Sequence, residues 1–173
     1  MFDELEIVRL DATPRETFDC GSDDLNEFFH KDSINWGKEL ISVTYAIKQE
    51  NNIVAFFSLS NDAIRAELNP RSGLKRALKI IPRPKRLRSM PAVKIGRLAS
   101  SSKIQSKGIG THILNYIKIS LTNNNKTGCR FIVEDAYNNP RTIAFYERND
   151  FLFMSSKDAN EKTRLMYFDL ATI

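Results

Sequence analysis

The chain has 173 residues, 42% of them hydrophobic, and a net charge of +5. That length and composition suit one soluble globular domain with a sizeable core, and no apolar run approaches the roughly 20 residues of a membrane span. Two cysteines (Cys20 and Cys129), no C-x-x-C and two histidines argue against a disulfide framework or a metal site, and point to a reducing, cytoplasmic setting.

The opening residues, MFDELEIVRL, are acidic and pass into alternation over Leu5–Leu10, so a first strand is expected rather than a signal peptide. Asp11–Asp24 holds Pro14 and Gly21 and suits a loop. Ser22 or Asp23 is placed to cap a helix over about 23–38, interrupted near Asp32, whose apolar face carries Leu25, Phe28, Phe29, Ile34 and Trp36. Val43–Gln49 and Ile53–Ser60 are β-rich runs separated by Glu50-Asn51-Asn52, which predicts an antiparallel hairpin.

Asn61–Met90 is the least regular part and is expected to be an insertion. Leu74, Ala77, Leu78 and Ile81 allow one short amphipathic helix, ended by Pro82 and Pro84; Arg83, Lys85, Arg86 and Arg88 then form a basic loop. Residues 65–88 contain nine Lys/Arg and one acid, a net +8 against +5 for the whole chain, so the remainder is −3. Charge concentrated in this way suggests a polyanionic partner, the other outcome being a solvated face.

Pro91–Thr111 organises the rest. Val93, Ile95, Leu98 and Ala99 form a β-compatible run, small polar residues follow, and Gly108 and Gly110 open a helix reaching about Thr122. The first amides of a helix lack internal acceptors and sit at the positive end of the macrodipole, and glycine lets an anion approach the backbone closely. Gln105-Ser106-Lys107-Gly108-Ile109-Gly110 is Q-x-x-G-x-G, which matches neither the dinucleotide fingerprint nor the nucleotide-triphosphate loop. Asn123–Gly128 is a polar stop, and Cys129–Val133 a buried-type strand, completing a βαβ unit. Asn139-Pro140 opens a helix ending near Asn149, and Phe151–Met154 and Thr163–Leu170 are the closing strands. The pattern is α/β (α+β), a mixed sheet around a βαβ centre.

This order of elements, the Gln105–Gly110 loop, the segment Asn139-x-x-Thr142-x-x-Phe145-Tyr146-Glu147 and the strand opening at Phe151 together resemble a GNAT N-acetyltransferase over about Leu5–Leu170. The family's Tyr-Glu-x-x-Gly-Phe carries Asp150 here in place of glycine, a residue that tolerates a left-handed turn, and Thr142 replaces a common alanine. Phe18-Asp19-Cys20-Gly21 followed by Leu25 and Phe29, the basic segment before Pro91, and Gly96-Arg97-Leu98-Ala99 are similar to bacterial toxin-type GNATs, although Ser100-Ser101 departs from that subgroup's strand.

The resemblance implies a mixed, mostly antiparallel sheet with a central parallel strand pair flanked by helices, and acetyl-CoA as cofactor. It implies that Gln105, Ser106, Lys107, Gly108, Ile109, Gly110 and Thr111 hold the pyrophosphate, and that the strand at Ile95, Arg97, Leu98 and Ala99 holds the pantetheine arm. Tyr146 becomes the expected general acid toward the departing thiolate, with core packing as its other role. Asn139 is placed either on the cofactor arm or as a helix cap. Glu134 and Asp135 are candidate bases or caps, and His30 and His112 are expected to serve packing or surface roles. The subgroup implies acetylation of the α-amino group of aminoacyl-tRNA and a small antitoxin partner, with Arg83, Lys85, Arg86 and Arg88 on the RNA; the oligomeric state is open, a homodimer being one possibility. Acetylation of a small-molecule or protein amine is the alternative, and a non-catalytic acyl-CoA or nucleic-acid binding module a third.

Overall fold

The computed structural model of the chain describes residues 5–10, 18–65, 89–123 and 125–173. Seven strands form one sheet: β1 (Leu5–Arg9), β2 (Val43–Gln49), β3 (Asn52–Arg65), β4 (Ser89–Ser100), β5 (Phe131–Tyr137), β6 (Leu152–Phe153) and β7 (Thr163–Asp169). Their spatial order is β1-β2-β3-β4-β5-β7-β6. Antiparallel ladders join β1 to β2, β2 to β3, β5 to β7 and β6 to β7, whereas β4 and β5 run parallel. The described helices are α1 (Asp23–Glu27), α2 (Ser33–Lys38), α3 (Ile109–Thr122) and α4 (Pro140–Arg148). The expected mixed, mostly antiparallel sheet with one parallel pair is therefore present, with α3 as the crossover between β4 and β5.

The helix expected over 23–38 is continuous but changes type. Phe28–Asp32 form a π turn between α1 and α2. A π turn holds an extra residue and resets the phase of the helix. Phe28, Phe29 and then Ser33 are all buried as a result. Ser22 occupies the N-cap position with extended backbone, but its hydroxyl makes no capping bond.

Strand boundaries also differ from expectation. β3 runs five residues past Ser60, and β4 begins at Ser89. Both ends of the expected 61–90 insertion are thus strand. The remainder, including the short helix at 74–81 and Arg83, Lys85, Arg86 and Arg88, lies outside the described residues. The strand expected from Phe151 is shortened to Leu152–Phe153 because the Phe151 amide donates to the Tyr146 carbonyl, 3.0 Å, and closes a turn.

The chain forms two compact units. One comprises the described residues up to Ser60 with Ile95–Tyr116, the other those from Asn61 to Lys94 with Ile117–Ile173. The first is centred on an aromatic cluster in which Phe56 lies 4.6 Å from Phe29, 5.4 Å from Phe18 and 6.2 Å from Phe28, with Ala46, Ile53 and Ala99 around it. The second packs Ile64, Met90, Ala92, Phe131, Val133, Met154 and Tyr167.

Candidate active site

The parallel ladder between β4 and β5 covers three residue pairs, Ala92–Phe131, Val93–Ile132 and Lys94–Val133. β4 continues six residues further, to Ser100. Along this extension Ile95 is fully buried and Ala99 belongs to the aromatic core. Side chains of these two residues are committed to packing, so what they offer a ligand is backbone. Arg97 folds back, its Nη1 donating to the Gly96 carbonyl at 2.8 Å, and its guanidinium stands 5.3 Å from the Phe28 ring centre. Leu98 is half-buried.

Residues 101–108 turn the chain from β4 into α3. The Ser101 amide donates to the Val54 carbonyl at 2.8 Å, and the Ser102 amide to the Asp19 carbonyl at 3.0 Å. The Gln105 side-chain amide donates to the Cys20 carbonyl at 2.8 Å and to the Ser100 carbonyl at 3.4 Å. The leading glutamine of Q-x-x-G-x-G therefore binds the loop to the Phe18–Gly21 segment. That segment is itself held: the Asp19 carboxylate accepts from the Gly21 amide at 2.8 Å and the Asn26 side chain at 2.7 Å, which together keep its carboxyl below the usual range. Gly21 has φ +77°, a value that suits glycine.

The loop ends in two left-handed residues, Ser106 (φ 64°) and Gly108 (φ 89°). The first helical bond runs from the His112 amide to the Gly108 carbonyl, 3.1 Å. Gly108 is thus the N-cap, and Ile109, Gly110 and Thr111 supply the amides that α3 itself leaves without acceptors. Ile109 is buried and anchors the turn, whereas Lys107, Gly108 and Thr111 are exposed beside those amides. Donors, a helix dipole and one cation without a Cβ at Gly108 or Gly110 fit a pyrophosphate.

In the second unit, α4 carries Tyr146. Asn139 caps the helix, its side-chain oxygen accepting from the Thr142 amide at 2.9 Å, with Pro140 at the first position. This assigns the Asn139 oxygen to capping. Tyr146 is 4% exposed, with the Phe151 ring 5.3 Å and the Phe145 ring 5.0 Å from its own. Burial pushes its phenol well above the ordinary value, and the Glu134 carboxylate adds to this by its charge and by accepting the phenol hydrogen bond. Asp135, the other candidate base, is ion-paired with Lys94. Both acids lie within β5, so neither caps a helix. His30 binds the Phe18 carbonyl through Nε2 at 2.9 Å, a structural role, and His112 is exposed on α3.

Sequence reasoning did not find two features. The pairing of Glu134 with Tyr146 joins residues twelve positions apart, across strand, turn and helix, and has no spacing signature. Lys118, 7% exposed, does have one: it lies four residues after Leu114 and three before Leu121, on the apolar stripe of α3. Among the described residues no group of His, Cys, Asp and Glu could hold a metal ion, and no helix is long and apolar enough to cross a membrane.

Residues 6–151 match the model of the acetyltransferase (GNAT) family. By sequence, no curated protein matches the chain. Its fold is similar to that of AtaT complexed with acetyl-methionyl-tRNAfMet, with 22% identity over 97% of this chain and 96% of that one and a TM-score of 0.79. A mutant of KacT is similar at 20% identity, 98% and 97% coverage and a TM-score of 0.79. AtaTR bound with AcCoA is similar at 22% identity, 98% and 96% coverage and a TM-score of 0.75. The family match spans most of the chain: it belongs to the GNAT acetyltransferases and is an acetyl-CoA-dependent N-acetyltransferase.

Proposed function

We propose that this acetyltransferase acts on the α-amino group of aminoacyl-tRNA, in the cytoplasm, as the toxin of a toxin–antitoxin pair. The observation that carries the choice of acceptor is the run of nine Lys/Arg between residues 65 and 88 in a chain that is otherwise net negative. Cations gathered in one segment give salt-dependent affinity for a phosphate backbone. Arg83, Lys85, Arg86 and Arg88 are the proposed RNA contacts. The fold likeness supports the same reading, since AtaT has been solved with acetyl-methionyl-tRNAfMet and a mutant AtaT toxin with the C-terminus of the antitoxin AtaR.

Acetyl-CoA supplies the acetyl group as a thioester. Gln105, Ser106, Lys107, Gly108, Ile109, Gly110 and Thr111 hold its pyrophosphate through helix-terminal amides and the Lys107 charge. The β4 backbone at Ile95, Arg97, Leu98 and Ala99 orients the pantetheine arm. Orientation of this kind is worth effective molarities of about 10⁵ M or more. The acceptor needs a neutral amine; an α-amino group with pKa near 7.7–8.0 or lower supplies one near neutral pH without a strong base. As the new C–N bond forms and the C–S bond breaks, one proton leaves nitrogen and one arrives on sulfur. Tyr146 donates a hydrogen bond to the departing sulfur. Its raised pKa keeps the phenol protonated near neutral pH, so it has a proton to give that sulfur as general acid, and the resulting phenolate is reprotonated by the proton released from nitrogen. The phenol has a single hydrogen, so it turns from the Glu134 carboxylate to the sulfur as the C–S bond breaks; Glu134 is then our proposed acceptor of the proton released from nitrogen, which it returns to the phenolate.

Induction of the wild-type chain in a bacterial host should arrest growth, and Tyr146→Phe should relieve the arrest at equal protein level. Normal growth with soluble, acetyl-CoA-binding wild-type protein present would contradict the toxin assignment.

A further inference from the structure

α4 ends in a turn that closes on the residue carrying the phenol. The Tyr146 carbonyl accepts from both the Asn149 and the Phe151 amides, each at 3.0 Å, and the Asn149 side chain donates to the Phe145 carbonyl at 2.8 Å. Asp150, between them, is held at φ 65°. The Asn149 carbonyl points the other way and accepts from Lys118 Nζ at 2.7 Å. That ammonium is enclosed. It lies 3.9 Å from the Phe168 ring centre and 5.7 Å from that of Phe151, with the Asp150 carboxylate 3.9 Å away. Phe151 in turn packs against Tyr146.

A buried lysine is costly unless its charge is used. Here the charge meets the negative end of the α4 dipole, a carbonyl and an aromatic face, three arrangements that favour a cation. Its two lines of contact both lead to Tyr146: through the Asn149 turn to the Tyr146 carbonyl, and through Phe151 to the Tyr146 ring. We propose that Lys118 is a positioning residue for the acetyl-transfer reaction, fixing the turn after α4 and thereby the phenol of Tyr146. This rests on Tyr146 donating to the departing sulfur.

The test is a double-mutant cycle on the full chain, read as thiol release from acetyl-CoA with aminoacyl-tRNA as acceptor. Tyr146→Phe alone should lower kcat about 100-fold, the low end of what a positioned proton donor contributes. Lys118→Met, close in volume, should lower kcat about tenfold while KM for acetyl-CoA stays within twofold. In the Tyr146→Phe background Lys118→Met should cost nothing further, because groups that act as a unit are not additive. A tenfold loss that persists in that background, or wild-type kcat for Lys118→Met, would overturn the inference. Full activity of Tyr146→Phe would instead remove the reading it rests on. Should Lys118→Met fail to fold by circular dichroism, Lys118→Gln carries the same comparison; unfolding of both would make Lys118 a stability residue and overturn its assigned role.

Discussion

Gln105→Ala separates the two roles assigned to the loop before α3. The substitution deletes a 2.8 Å bond to the Cys20 carbonyl and a 3.4 Å contact to the Ser100 carbonyl, both part-buried. A typical net hydrogen bond is worth about 1 kcal/mol, and a buried carbonyl left without its donor adds about 1 kcal/mol or more. The expected loss is about 2 kcal/mol, or roughly 4–8 °C in Tm for a chain of this size. The amide bonds from Ser101 to Val54 and from Ser102 to Asp19 remain, so the loop should loosen without detaching. Looser placement of the α3 amides should raise KM for acetyl-CoA about tenfold, a change of about 1.4 kcal/mol, with kcat little altered. Calorimetric melting with and without acetyl-CoA, and thiol-release kinetics, read the two effects separately. A wild-type Tm together with an acetyl-CoA KM within twofold of wild type would refute the tether.

Because the folded protein holds the Tyr146 phenol above its unfolded pKa of about 10, the unfolded state gains by ionising as pH rises past 10. That residue's contribution is fully present below pH 10 and falls by about 1.4 kcal/mol per pH unit above it; urea melts from pH 9 to 11 should show this slope in wild type and not in Tyr146→Phe. Asp150 sits at φ 65°, so Asp150→Gly should be about 1 kcal/mol more stable than Asp150→Ala, both having lost the carboxylate; equal stabilities would contradict the left-handed turn. Burial raises both thiols, Cys20 and Cys129, so an aromatic disulfide reagent at pH 8 should react slowly with the native chain and with two equivalents after denaturation. Phe56→Ala, at the centre of the ring cluster, should destabilise by about 3–5 kcal/mol in chemical denaturation.

Much of this was legible from local pattern. Alternation placed β1, a β-rich run placed β2, the glycine pair placed the start of α3, and Asp150 was readable as a left-handed stand-in for glycine. Elements set by packing were not. The π turn at Phe28–Asp32 answers to a core that takes two adjacent phenylalanines, which no 3.6-residue period announces. β3 persists through the polar pair Asn61-Asp62, against local propensity. In the site, single residues such as Tyr146 and Asn139 could be singled out, but their partners could not. Gln105 meets Cys20 across 85 residues, and Glu134 meets Tyr146 through the fold alone.

The proposed reaction is acetyl transfer to charged tRNA. The direct measurement is incubation of the purified chain with isotopically labelled acetyl-CoA and total aminoacyl-tRNA, followed by acid precipitation and mild alkaline release of the aminoacyl ester. Label should appear in the tRNA fraction, be released by alkali as N-acetylamino acid, and fall about 100-fold with Tyr146→Phe. Label that appears on a small amine or a protein lysine while charged tRNA stays unlabelled would contradict it.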